Sequence, residues 1–121
     1  MRRCGAIILA MLATGCGGSS ETAKFEIKSI GEEVYAMVGQ PSQAPSTWTA
    51  AAKEQCEGKQ ICTVMGWTDA ANAATGMPML DREAKAMVFH YALNRNASFE
   101  QSTFDCRTFK GIPQPQCMAT E

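Results

Sequence analysis

"REAKAMVFHYALNRN", residues 82–96, is the stretch on which the fold class turns. Ala84, Met87, Val88 and Tyr91 recur at intervals of three and four, so they form one stripe of a helix, and Asp81 stands ahead of them where a capping side chain belongs. Phe89 and Leu93 fall nearly opposite that stripe. The pattern predicts a helix over 81–95 that is apolar on two sides, and such a helix lies at the centre of a core or is covered by a partner.

Upstream, "KFEIKSIGEEVYAMVGQP" (24–41) spaces Ser29 and Glu32 as a capping box and puts Ile30, Val34, Met37 and Val38 on one helical face before Gly39 and Pro41. This predicts a helix over 29–38; alternation across 24–38 offers a strand instead. Beyond the loop "QPSQAP", Ser46 can cap "TWTAAAKEQCEG" (47–58), a helix with Trp48, Ala51, Ala52, Gln55 and Cys56 on one face and Gly58 as its stop. "QICTVMGW" (60–67) reads as a strand by its β-branched and aromatic content, and 68–80, with Gly76 and Pro78, as a loop. The end, "FEQSTFDCRTFKGIPQPQCM" (99–118), reads as a short extended segment and a cysteine-closed loop. The expected fold is therefore α+β, a helix-predominant small domain with two disulfides.

The chain opens "MRRCGAIILAMLATGC": two arginines, an apolar stretch from about Ala6 to Ala13, then small residues. That order is the plan of a secretory signal, and the apolar run is well short of the ~20 residues a membrane-spanning helix needs. Because Ala13, Thr14 and Gly15 lead straight into Cys16, the segment resembles the lipobox of bacterial lipoproteins. The resemblance implies that Cys16 is lipidated and becomes the first residue after cleavage. Gly17, standing where an aspartate commonly retains such proteins at the inner membrane, implies the outer membrane, facing the periplasm. The resulting organisation is a signal peptide at 1–15, a lipidated flexible tether at 16–23 rich in glycine and serine, and one small disulfide-braced domain at 24–121.

Loss of Arg2 and Arg3 with such a signal leaves nine basic against twelve acidic side chains, a formal charge of −3. No basic patch suited to nucleic acid remains. Of the six cysteines, Cys4 goes with the signal and Cys16 takes lipid, leaving Cys56, Cys62, Cys106 and Cys117. An even count in an exported domain reads as two disulfides, and the local pairs Cys56–Cys62 and Cys106–Cys117 each close a turn-rich loop. The rival, a four-cysteine zinc site, lacks a C-x-x-C pair.

Chemistry is sparse. The single histidine, His90, has no nucleophile motif beside it, and nothing in the spacing of Asp69, Asp81, Glu83 and Asp105 singles out an acid–base pair. Six methionines follow Cys16: Met37, Met65, Met77, Met79, Met87 and Met118. Thioethers favour Cu(I), and "MPM" (77–79) with His90 suggests a copper site; core packing is the competing explanation. Trp48, Trp67, Phe89, Tyr91, Phe99, Phe104 and Phe109 supply either a core or contact anchors. No catalytic residue, cofactor or metal is assigned. The expectation is a non-enzymatic protein-interaction module anchored by lipid and meeting an envelope protein partner, with Cu(I) binding and a small envelope hydrolase as alternatives.

Overall fold

The structure is a computed structural model and describes residues 24–118, so the expected signal at 1–15, Cys16 and the expected tether at 16–23 lie outside the described residues. Five strands form one sheet: β1 (Glu26–Gly31), β2 (Val34–Val38), β3 (Ile61–Trp67), β4 (Phe89–Asn94) and β5 (Phe99–Phe104), side by side in chain order. Neighbours run antiparallel except β2 and β3, which are parallel. Parallel neighbours need a crossover, and α1 (Pro45–Gln55) lies in it. The other α-helix, α2 (Asp81–Ala86), is six residues long.

Strand therefore outweighs helix, and the helix-predominant expectation is overturned. Two misread segments account for this. Residues 26–38 form a hairpin, Gly31 pairing with Val34 around Glu32 and Glu33, with Glu33 at φ 58°. A glutamate in the left-handed region is not a turn signature, so the hairpin is hidden from sequence inspection. At 81–96 the helix stops after Ala86, and Phe89, Tyr91 and Leu93 alternate with less buried residues along β4. The apolar "second side" of the expected helix is the inward face of this strand. It is core, and it offers nothing to a partner.

The helix at 45–55 and the strand at 61–67 form where the sequence places them, with one adjustment. Pro45, whose ring presets a helical φ, opens α1, and Ala44 stands at the cap position without a side-chain bond, so Ser46 is inside the helix. Two disulfides, Cys56–Cys62 and Cys106–Cys117, tie α1 to β3 and close the C-terminal loop. The four-cysteine zinc alternative is thereby removed.

The sheet is covered unequally. On one face α1 lays Trp48, Ala51 and Ala52 against Met37, Val64, Phe89 and Tyr91, with Phe25, Phe104 and Phe109 closing the cluster. Trp48 is the hub: its ring centroid lies 5.0 Å from Phe25, 5.6 Å from Phe89 and 5.5 Å from Phe109. Gly66 permits this approach, since a Cβ there would stand 2.7 Å from Trp48 Cζ3. On the other face Ile30, Ala36, Met65, Trp67 and Ala74 form a smaller cluster under the loop at 68–80 and α2. The Trp67 indole donates to the Glu83 carbonyl at 2.8 Å, stapling α2 to the sheet. That cover reaches β1 to β3 and leaves the second face of β4 and β5 open.

Candidate functional site

The uncovered half-face is the floor of an open groove of about 950 Å³. Period-two alternation sends Phe89, Tyr91 and Leu93 into the core, so His90 points to the opposite face, and Gln101 and Thr103 of β5 lie beside it. One wall is α2, with Asp81, Ala84 and Lys85, continued by Met87. The other is the C-terminal loop held by the Cys106–Cys117 disulfide, with Arg107, Pro115 and Met118. Two backbone bonds fix that second wall: Asp105 N–H donates to the Val88 carbonyl and Met118 N–H to the Phe104 carbonyl, each at 2.8 Å.

The charges in the groove are internally paired. Lys85 Nζ lies 3.2 Å from Asp81 one helical turn away. Asp105 is buried, which by itself would push its carboxyl up; hydrogen bonds from the Arg107 side chain and backbone and from Thr108 outweigh this and hold it below the usual carboxylate range. Burial pushes His90 below its ordinary value, so the neutral imidazole is favoured. No hydrogen bond reaches the imidazole ring among the described residues.

This makes the folded protein acid-sensitive in a defined window. With a depressed folded-state value, the unfolded chain binds the extra proton first, so stability is full above about pH 6.5 and falls as pH drops through that point toward the folded-state value. Asp105 and Glu100, both held low, lose their contribution only at more acidic pH. Urea midpoints measured from pH 7.5 to 5 are expected to decline in the parent and to decline much less in His90→Gln. Parallel curves for the two proteins would assign the sensitivity elsewhere.

Of the four carboxylates singled out in the sequence, only Asp81 and Asp105 reach the groove, and each is ion-paired there, Asp81 with Lys85 and Asp105 with Arg107. Asp69 accepts from Ala71 N–H at 3.0 Å and opens a short 3₁₀ turn. Glu83 is buried and accepts from Leu80 N–H at 2.9 Å, so the capping carboxylate of α2 is Glu83, while Asp81 is the first residue of the helix. Among the described residues no group of three histidine, cysteine or carboxylate side chains is placed to hold a metal.

The expected juxtaposition of "MPM" with His90 does not form. Met77 Cγ lies 3.3 Å from where a Cβ on Gly31 would stand, on β1, and β4 is three strand spacings away, roughly 14 Å. Met79 packs on the smaller core, as Met87 does, but does not line the groove. The methionines that share the groove with His90 are Met87 and Met118. Of the seven large rings, six are buried and Phe99 alone is exposed, at the start of the edge strand β5.

A second polar cluster lies on the α1 side. Tyr91 Oη donates to Glu100 at 2.7 Å, and Lys53 Nζ is 3.7 Å from the same carboxylate. Burial, with the Glu100 charge beside it, drives the phenol far above its ordinary value, and the phenol's hydrogen bond holds Glu100 down. A phenol held protonated this firmly is a brace between β4 and β5, not a base.

No family model matches the chain, and neither curated proteins nor solved structures supply a match. No helix among the described residues is long and apolar enough to cross a membrane. Gln101, Thr103, Arg107 and Met118 escape sequence inspection as site residues because β5 and the C-terminal loop meet α2 only after folding.

Proposed function

We propose that this chain is a lipoprotein of the bacterial cell envelope, anchored through Cys16 on the periplasmic face of the outer membrane, that presents a non-enzymatic binding module to an envelope protein. The observation that carries the binding reading is the open groove over β4 and β5, whose charged side chains are paired within each wall and whose histidine has no partner among the described residues to activate a nucleophile. A groove of this kind beside an edge strand with an exposed Phe99 suits a protein segment. Support for the address comes from the order of residues 1–20 and from the two disulfides, which suit an oxidising compartment.

The test is site-specific photocrosslinking in intact cells. A photoreactive side chain at Gln101, in the groove, is expected to give discrete adducts with one protein, while one at Glu57, beyond the end of α1, gives none. Equal labelling at both positions, or a purified domain that turns over a substrate, would sink the reading. The hydrolase alternative would draw on the same groove, where both carboxylates among the described residues are ion-paired.

A further inference from the structure

We propose that the groove binds Cu(I) through the thioethers of Met87 and Met118 and the imidazole of His90. Each of the three comes from a different element, and the fold places them around one strand segment. His90 pairs with Thr103 across β4 and β5, Met118 N–H is bonded to the Phe104 carbonyl, and Met87 precedes Val88, whose carbonyl takes Asp105 N–H. The three backbones thus flank residues 103–105, within about two strand spacings, roughly 10 Å. Long side chains from such positions can converge on one ion, and all three residues line the same groove.

The methionines differ in their settings. Met37 and Met65 are buried in the two cores, where a flexible thioether fills space. Met77 lies at the β1 side, and Met79 and Met87 both flank the smaller core, of which only Met87 also lines the groove. Met87 and Met118, separated by some thirty residues in the chain, are the two that line the groove His90 lines, and both are only partly buried.

The identity of the metal follows from the ligands. Zinc and harder divalent ions need further nitrogen, thiolate or carboxylate donors, and no such group of three exists among the described residues. Of the two carboxylates in the groove, Asp105 accepts from Arg107 and Thr108 and Asp81 is paired with Lys85. Two thioethers and one imidazole make a soft, neutral set that suits Cu(I). This inference stands apart from the protein-partner reading and has its own readout.

The full chain, with both disulfides verified intact and any free thiol blocked by N-ethylmaleimide, is titrated with Cu(I) under ascorbate against a colourimetric Cu(I) chelator. One ion per chain is expected. Met87→Leu and Met118→Leu preserve bulk, and each is expected to weaken binding about tenfold or more; the Met77→Leu/Met79→Leu pair is expected to leave it unchanged. In the unsubstituted protein labelled at methionine methyls, Cu(I) is expected to shift the Met87 and Met118 resonances and not those of Met77 and Met79. The assignment is overturned if the chelator strips all copper, if the Met77 and Met79 methyls move instead, or if Met87→Leu and Met118→Leu bind as the parent does.

Discussion

Trp48→Ala is expected to remove a large part of the protein's stability. The indole is fully buried, touches three phenylalanine rings and sits on Gly66, where its bulk replaces a side chain that β3 does not have. Truncating a ring of this kind costs roughly 3–5 kcal/mol through lost contacts and the cavity left behind. A single small domain has about 5–15 kcal/mol in total, so a large share of the margin goes. Trp48 Nε1 is buried without a hydrogen-bond partner among the described residues. Trp48→Phe therefore removes a polar group that folding leaves unpaired, and its loss of volume is partly offset. Urea unfolding should rank the parent above Trp48→Phe and that above Trp48→Ala by a wide margin. An alanine variant within about 1 kcal/mol of the parent, below the usual range for such a truncation, would mean the ring cluster is not the centre of the fold.

Cys16→Ser is expected to block lipidation and the cleavage that depends on it without touching the domain. Under the lipoprotein reading the cysteine both accepts lipid and licenses cleavage, so the serine variant should accumulate as an unprocessed, unlipidated precursor. Replacing residues 1–16 with a conventional cleavable signal should release a soluble domain. Every residue of the two core clusters lies between Phe25 and Phe109, and both disulfides lie beyond residue 55. The released domain should therefore melt at nearly the temperature of the detergent-solubilised parent. Lipid-labelled protein persisting in Cys16→Ser, or a released domain that aggregates, would break the separation of anchor from fold.

The same stretch shows where local pattern and tertiary structure part company. In residues 81–96, Met87, Val88 and Tyr91 fit a helix and Phe89, Tyr91 and Leu93 fit a strand, because the two periods overlap over so short a run. Burial decided between them. The backbone of this segment is taken up by β3 on one side and β5 on the other, with Val88 N–H already bonded to the Gly66 carbonyl at 2.8 Å. A run apolar on two opposite helical sides was itself the trace of alternation. In the hairpin at 26–38 the same ambiguity was deepened by a turn built on Glu32 and Glu33 instead of glycine or asparagine.

What the sequence determines by itself is short-range: the order of charge, apolar run, small residues and Cys16 on which the expected address rests; the helix at 45–55 with its buried Trp48 face; the strand at 61–67; and cysteines close enough in the chain to close their own loops. Each depends on neighbours within a few positions. The choice of strand over helix at two places, and the groove itself, were decided only in three dimensions. His90, Gln101, Arg107 and Met118 become one surface because the antiparallel pairing of β4 with β5 and the Cys106–Cys117 loop fold distant residues onto the face that α1 and α2 leave open. Strand pairing and burial are non-local energies, and no window of sequence contains them.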